Sequence, residues 1–281
     1  MIGNIDNLLN LTNDIFQKKE LKPVFIQIAA VAKYLWDRGW AERNAGNFSI
    51  NVTGFFSTKE LDRLSGYPFF PLSRRYPDLS CKLFLVSGTG TRMREMAKNP
   101  AEHVCFVYIS NSGSAFHIIG ESHEDNSVKP TSELATHLAI QQQLVQKKGP
   151  EKVVLHAHIT ELIALTQLTP FRSEKAVNNI LWGMHPETIL FVPDGIGFIP
   201  YTLAGTENIA LATTKGLENH KVVLWEKHGC MVVSKTLPEA FDILDILAKS
   251  AKIYFLCKST GMDPEGLTHD QIHEIRDNYP G

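Results

Sequence analysis

Apolar residues recur along the chain with two different periods, and each period predicts one type of element. A spacing of three and four residues is typical of the buried face of an α-helix, whereas short alternating or continuous apolar runs bounded by turn residues predict strands. The predicted helices cover residues 22–38, 130–147, 161–168, 174–183, 206–219, 237–259 and 268–276. The predicted strands cover residues 48–52, 83–86, 104–109, 115–119, 153–158, 188–192, 222–225 and 231–233.

Helices and strands are interspersed, and some strands are close enough in sequence to pair as hairpins. Residues 104–109 and 115–119 flank one such turn. This order predicts an α/β fold of the α+β type, a mostly antiparallel central sheet flanked by helices. Residues 53–80 have no clear period, so we expect an irregular excursion or an extra hairpin there. No repeat or linker divides the chain, and residues 1–281 are predicted to form a single domain.

The composition limits the functional classes. Apolar residues make up 43% of the 281 residues and the formal net charge is −2, so a sizeable core is expected and a nucleic-acid partner is not. The four cysteines form no C-x-x-C pair, which favours a reducing compartment. The N-terminus does not have the pattern of a secretory signal, and no apolar run is long enough to span a bilayer. We therefore expect a cytoplasmic protein without a membrane partner.

Three histidines lie at or just after the ends of two of the predicted strands. His156 and His158 alternate at the end of one strand, so both imidazoles lie on the same side and can reach one ion. His228 follows the strand 222–225, and two strands of one sheet can bring all three histidines together. Three protein ligands with an open position are typical of catalytic zinc. Each histidine alone is equally typical of a structural or loop residue, and only the set favours a metal site.

Glu133 follows Thr131 and Ser132 at the predicted start of a helix. Either hydroxyl can accept a hydrogen bond from a free amide of the first turn, and a glutamate there is often a capping residue. The functional interpretation is a general base beside a metal ion, which is the minimum needed to make or break a bond next to a carbonyl.

Clusters of Gly, Asn, Ser and Thr at residues 44–47, 87–91 and 131–132 are candidate phosphate sites. Backbone N–H groups and hydroxyls at tight turns and helix starts suit an oxyanion. Each cluster alone is also typical of an ordinary turn. Residues 87–91 lack the third glycine of a dinucleotide fingerprint, and the chain has no Walker A motif.

The order of these motifs resembles that of a known family. The motifs are Arg43-Asn44-Ala45-Gly46-Asn47, Ser87-Gly88-Thr89-Gly90, Pro130-Thr131-Ser132-Glu133, His156-x-His158 and His228-Gly229. Over about residues 25–260 they resemble the class II aldolases of the fuculose/rhamnulose-phosphate type. The long segment between Asn47 and Ser87, the residues 181–195 and the stretch from Trp225 to Gly229 are most similar to the rhamnulose-phosphate branch.

The resemblance implies a metal-dependent lyase that cleaves a phosphorylated ketose, with L-rhamnulose 1-phosphate as the substrate of the branch. It implies one Zn²⁺ per subunit and a ring-shaped homotetramer with active sites between subunits. Glu133 would be the catalytic acid/base, and Glu187 matches a glutamate that the family places in the neighbouring subunit's site. The implied metal ligands are His156, His158 and His228. The implied phosphate pocket contains Asn44, Gly46, Asn47, Thr89, Thr131 and Ser132.

The chain departs from the family pattern at a few positions. Ala45 stands where a second glycine is often seen, and Thr89 where a serine is common in the branch; both residues are small and should preserve the pocket. Residues 183–186 are divergent and include the unfamiliar His185, so Glu187 is the least well matched of the implied site residues.

Other activities share the same histidines. Relatives of this fold include L-fuculose 1-phosphate aldolases, pentulose-phosphate epimerases and a dehydratase of a methylthio-sugar phosphate. Adducin-type heads resemble the fold without catalysing an aldol reaction, but the three histidines and Glu133 argue against that alternative. A Schiff-base aldolase needs a buried lysine of lowered pKa, and no lysine stands out on an apolar strand.

Overall fold

A computed structural model of the chain describes residues 14–119 and 128–279. Within these ranges the strands are β1 (Asn47–Asn51), β2 (Phe69–Pro71), β3 (Leu83–Ser87), β4 (Val104–Ile109), β5 (Ala115–Ile119), β6 (Val153–Ala157), β7 (Gly197–Ile199), β8 (Val222–Trp225) and β9 (Gly229–Ser234). The α-helices are α1 (Lys22–Asp37), α2 (Thr58–Asp62), α3 (Met93–Met96), α4 (Leu134–Lys147), α5 (Thr160–Gln167), α6 (Glu174–Met184), α7 (Pro186–Phe191), α8 (Glu207–Gly216), α9 (Leu237–Ser259) and α10 (His269–Asn278).

The strands form one sheet in the order β2-β5-β4-β3-β1-β6-β9-β8-β7. Every neighbouring pair is antiparallel except the parallel pair β7–β8. Strands β3, β4, β6, β8 and β9 are buried at every position. The reason is that helices cover both faces of the sheet. Side chains of one face pack with α1 and α9, and those of the other with α4 and α8.

The predicted fold class is confirmed: a mixed, mostly antiparallel sheet lies between helices. The predicted hairpin of residues 104–109 and 115–119 is the antiparallel pair β4–β5. Residues 53–80 contain the short helix α2 and the edge strand β2, which pairs with β5. The three-residue strand β7 was not predicted. None of the helices in the described ranges is long and apolar enough to cross a membrane.

The strand predicted at residues 188–192 is wrong, because residues 188–191 belong to α7 and Val192 is its C-cap. His185 is extended, Pro186 stands in the first turn with Glu187, and the helix runs to Phe191. The β-branched and aromatic side chains of the run favour a strand by propensity alone. Tertiary packing overrides that preference, since Thr188 is buried and its Oγ1 lies 2.6 Å from Ser250 Oγ on α9.

Candidate metal centre and active site

His156, His158 and His228 meet at one end of the sheet. His156 lies on β6, His158 directly follows that strand, and His228 lies in the turn between β8 and β9. Because β6 and β9 pair, with Ala157 opposite Cys230, the turn is held beside the end of β6. One candidate ligand atom from each ring lies within 4.8 Å of the other two. We call these three residues the histidine cluster.

The turn that presents His228 restricts the residue type on either side of it. Lys227 adopts a left-handed conformation with φ of 63°, and its N–H donates to Thr166 Oγ1 at 2.9 Å. The next residue, Gly229, lies so close to β6 that a Cβ atom there would be 2.5 Å from the Ala157 carbonyl oxygen. A glycine at position 229 therefore allows the two strands and the cluster to approach each other.

The second nitrogen of two of these rings is already hydrogen-bonded. His156 Nδ1 lies 2.8 Å from the Cys230 carbonyl oxygen, and His158 Nδ1 lies 2.7 Å from Glu42 Oε1. Both partners only accept, so each Nδ1 carries the hydrogen, and each Nε2 is the nitrogen left to bind a metal ion. This is the arrangement by which proteins orient metal-binding histidines.

The histidine cluster fits a divalent metal ion. His156 Nε2 is buried and has no hydrogen-bond partner among the described residues. A buried nitrogen without a partner is unfavourable by about 1–3 kcal/mol, and coordination of an ion would satisfy it. Burial also lowers the pKa of His156, and burial together with His156 and His158 lowers the pKa of His228 to about 4. Both rings are therefore neutral near pH 7, which is the form that binds metal.

Glu133 lies beside the histidine cluster. Its Oε1 is 4.0 Å from His156 Nε2, and its Oε2 accepts a hydrogen bond from Asn47 Nδ2 at 3.1 Å. Burial raises the pKa of this carboxyl group, but the nearby imidazoles of His156 and His137 and the Asn47 amide together hold it below the ordinary value. The carboxylate is therefore ionised at neutral pH and can accept a proton.

The start of helix α4 differs in detail from the prediction. Neither Thr131 nor Ser132 is the N-cap, because Glu133 occupies that position without a capping hydrogen bond from its own side chain. Thr131 Oγ1 accepts from the Glu133 amide at 3.3 Å. The hydroxyl thus fixes the backbone of the candidate base instead of the first turn of the helix.

The three candidate phosphate clusters lie next to one another. The Thr89 amide donates to the Lys129 carbonyl at 2.8 Å, and the Thr131 amide donates to the Ser87 carbonyl at 2.9 Å. Asn47 lies opposite His156 where β1 and β6 pair, and it reaches Glu133. The exposed members of the predicted pocket are Asn44, Thr89 and Ser132, and the less exposed members are Gly46, Asn47 and Thr131.

Glu187 has its described contact at the start of its own helix α7. It is half-exposed on α7, and its Oε2 lies 2.9 Å from His185 Nε2. Among the described residues of this chain, no hydrogen bond or ion pair links it to the histidine cluster or to Glu133. Its predicted role in a neighbouring subunit's site stays a prediction.

A buried residue near Glu133 was missed by the sequence analysis. His137 lies one turn further along α4 and is fully buried. Its Nε2 lies 2.5 Å from Asn47 Oδ1, and its Nδ1 lies 3.0 Å from Ser49 Oγ. The sequence contains a pattern that could have indicated His137. Glu133, His137 and Gln141 are four residues apart and place polar groups on one face of the helix.

Known proteins resemble the chain over most of its length. Residues 26–255 match the class II aldolase and adducin N-terminal domain family. A protein named rhamnulose-1-phosphate aldolase from Bacteroides thetaiotaomicron is 39% identical over 255 residues, which cover 89% of this chain and 91% of that protein. A protein of the same name from Escherichia fergusonii is 32% identical over 248 residues, which cover 87% of this chain and 89% of that protein.

A solved structure resembles the fold as well. A sugar-phosphate aldolase from Thermotoga maritima matches with a TM-score of 0.74 and 28% sequence identity, covering 88% of this chain and 100% of that one. This agreement in fold is consistent with the family match, with the two relatives and with the geometry of the histidine cluster beside Glu133. The chain therefore belongs to the class II aldolase and adducin family.

Proposed function

We propose that the chain is a metal-dependent aldolase that cleaves L-rhamnulose 1-phosphate to dihydroxyacetone phosphate and L-lactaldehyde. The observation that supports it most is a buried carboxylate, Glu133, beside three histidines, of which the most deeply buried, His156, has an Nε2 atom without a hydrogen-bond partner in the described part of the chain. The choice of substrate is supported by relatives of 31–39% identity named for this reaction.

His156, His158 and His228 would hold the metal ion, for which we propose Zn²⁺. Three imidazole ligands with an open position suit zinc among the common divalent ions. When bound, such an ion polarises a substrate carbonyl and stabilises the negative charge that develops as the neighbouring carbon–carbon bond breaks. The Glu42 carboxylate and the Cys230 carbonyl keep two of the rings in the orientation that this requires.

Glu133 would move the proton. Its Oε2 is engaged by Asn47, whereas its Oε1 is directed to the side of His156. In the cleavage direction, the hydroxyl group that becomes the aldehyde gives up a proton, and the Glu133 carboxylate would take up an equivalent proton from solvent. Glu133 would then deliver this proton to the carbon atom that becomes the hydroxymethyl group of dihydroxyacetone phosphate. In the reverse direction the carboxylate would remove the same proton. General acid–base catalysis of this kind contributes about 10²–10⁴-fold to a rate.

The phosphate group would bind where the turns around Asn44, Thr89 and Ser132 meet. Thr131 Oγ1 accepts from the Glu133 amide, so its hydroxyl hydrogen remains available to a phosphate oxygen. Asn47 Nδ2 has a second N–H besides the one that it gives to Glu133. The backbone at Gly46, with φ of 81°, brings this turn close to β6. These contacts would orient the substrate and leave the chemistry to the metal and Glu133.

The active form would be a homotetramer in which Glu187 completes the site of a neighbouring subunit. There it would handle the proton of the aldehyde half of the substrate. Glu187 is half-exposed and its described ion pair is with His185, which leaves its side chain accessible to a neighbouring subunit and supports this assignment.

A comparison of substrates tests the proposal. Purified, zinc-loaded protein would be given L-rhamnulose 1-phosphate, L-fuculose 1-phosphate and a pentulose phosphate, and dihydroxyacetone phosphate and epimer formation would be followed. The highest kcat/KM is expected for cleavage of L-rhamnulose 1-phosphate. A clear preference for either of the other sugars would keep the site and reject the substrate.

A further inference from the structure

Five side chains form a continuous series of hydrogen bonds that ends at Glu133. We propose that His137 is a positioning residue of the reaction, which acts through Asn47 to hold the Glu133 carboxylate with Oε2 fixed and Oε1 free. This inference rests on the proposed function, because that function gives Glu133 its role in proton transfer. We call the series the polar chain; its members are Gln141, Ser49, His137, Asn47 and Glu133.

The polar chain lies between helix α4 and strand β1. Gln141 Nε2 donates to Ser49 Oγ at 3.0 Å, and Ser49 Oγ lies 3.0 Å from His137 Nδ1. His137 Nε2 lies 2.5 Å from Asn47 Oδ1, and Asn47 Nδ2 donates to Glu133 Oε2 at 3.1 Å. Helix α4 and its N-cap contribute Glu133, His137 and Gln141, which are four residues apart and lie on one face of the helix. Strand β1 contributes Asn47 and Ser49, which are two residues apart and lie on one face of the sheet.

The direction of every hydrogen in the polar chain follows from Glu133. An ionised carboxylate only accepts, so Asn47 must turn its amide nitrogen toward Glu133 and its oxygen toward His137. His137 must then carry its hydrogen on Nε2. Its Nδ1 has no hydrogen and accepts from the Ser49 hydroxyl, whose oxygen accepts from Gln141. All the donors therefore point toward the candidate base.

This polarity has a consequence for Glu133. Without the Nε2–H of His137, only the negative charge of Glu133 would hold the Asn47 amide in this orientation, and that constraint would be lost whenever the carboxylate is protonated. With it, Oε2 is always an acceptor, and the proton that Glu133 gains or loses is confined to Oε1, on the side of His156. Burial lowers the pKa of His137 to about 4, so the ring stays neutral under ordinary conditions.

The competing explanation is that His137 is only a core residue. Another buried histidine offers a matched control. His117 on β5 is 7% exposed, and its Nδ1 lies 2.7 Å from the Tyr67 carbonyl oxygen. It has no hydrogen bond to any member of the polar chain among the described residues. If the loss of any buried imidazole lowered activity, the loss would appear on substitution of either His137 or His117.

The test compares His137→Gln with His137→Asn, using His117→Asn as the control. A glutamine places an amide nitrogen near the position of Nε2 and can still donate to Asn47, whereas the shorter asparagine reaches only the Ser49 side. Metal content, kcat and KM for L-rhamnulose 1-phosphate would be measured. Proton exchange at the hydroxymethyl carbon of dihydroxyacetone phosphate would be followed in deuterated water.

His137→Asn is expected to keep its metal and its KM within about twofold while kcat and exchange fall about 10–100-fold, the usual effect of losing a residue that orients a catalytic group. His137→Gln should recover most of that loss, and His117→Asn should match the wild type. Equal rates in the two His137 variants, or an equal loss in His117→Asn, would overturn the positioning role. Should the Asn variant not fold, Ser49→Ala takes its place, with a smaller loss of exchange expected.

The exchange reaction needs no rhamnulose phosphate, so the two proposals fail in different ways. If the wild-type protein exchanges the proton but does not cleave L-rhamnulose 1-phosphate, the proposed substrate is wrong. The comparison of the His137 variants by proton exchange then still tests the positioning role. Wild-type protein that does neither overturns both proposals.

Discussion

At the scale of single residues, the hydrogen bonds of each side chain limit what it can do. The Nδ1 atoms of His156 and His158 are bonded to acceptors, which leaves their Nε2 atoms for a metal ion. Glu133 Oε2 accepts from Asn47, whereas Oε1 has no hydrogen bond within residues 14–119 and 128–279. In the proposed reaction, the histidines would bind the metal ion and the neighbouring Glu133 carboxylate would transfer the proton.

Substitution of Glu133 by glutamine tests this division of roles. Glu133→Gln keeps the size of the side chain and removes the base, so metal content should be unchanged. Proton exchange on dihydroxyacetone phosphate should fall by about 10²–10⁴-fold. Isotope exchange followed by NMR, with metal analysis of the same sample, measures both. Exchange at the wild-type rate would remove Glu133 from the role of base.

The site residues differ in how far the sequence could predict them. His156 and His158 could be paired because residues at alternate positions of a strand share a side, a rule that needs no tertiary information. His137 could not be assigned to the site in this way. Its polar neighbours on β1 are 88 and 90 positions earlier in the sequence, and only the packing of α4 on β1 brings them together.

At the scale of elements, the turn between β8 and β9 positions His228. A side chain at Gly229 would meet the Ala157 carbonyl oxygen at 2.5 Å and the rings of His158 and His156 at 3.1 and 3.2 Å. The turn and the end of β6 must therefore separate if this residue becomes larger.

Gly229→Ala should weaken metal binding by about tenfold or more, as is usual when the support of a ligand is disturbed. Gly183→Ala is the matched control, because a Cβ atom there meets nothing within 4 Å and the residue is helical. Alanine at position 183 should leave metal affinity unchanged and stabilise the helix by about 0.5–1 kcal/mol. Competition with a chelating dye compares the two variants, and equal affinities would contradict the role of Gly229.

Long elements with a clear period were predicted, as were most of the strands, but the short elements α7 and β7 were not. Helices α1 and α9 and the pair β4–β5 agree with the prediction because their apolar positions repeat several times. Helix α7 has only six residues, and its composition resembles that of a strand. Strand β7 has three residues and pairs in parallel with β8 across an intervening helix, so no hairpin signal marks it.

At the scale of the whole molecule, the proposed tetramer divides each active site between two chains. Glu133→Gln and Glu187→Ala chains would each have low turnover alone. Random exchange of subunits between equal amounts of the two should restore both glutamates at about a quarter of the sites, as expected for a ring of identical interfaces. Cleavage would be measured before and after exchange, and chromatography would establish the assembly. No recovery in a mixed oligomer would place Glu187 outside the neighbouring site.

Stability should depend on pH through the buried histidine of the polar chain. The folded-state pKa of His137 is lowered by burial from 6.5 to about 4, so the unfolded chain binds the extra proton more readily between these values. The free energy of unfolding of metal-free protein should therefore fall as the pH drops from about 6.5 to 4. Urea unfolding at several pH values measures this. His137→Gln should show a weaker dependence, and an identical dependence in both proteins would exclude His137 as a source.

Aldol cleavage should depend on an ion held by the histidine cluster. The most direct measurement is a titration of metal-free protein with zinc while cleavage of L-rhamnulose 1-phosphate is followed. Activity should be absent after chelation, rise in proportion to added zinc and level off at one equivalent per chain, and His156→Ala should stay inactive without binding the ion. Full turnover by metal-free protein would show that cleavage does not depend on the ion, and a full zinc complement in His156→Ala would show that His156 is not a ligand.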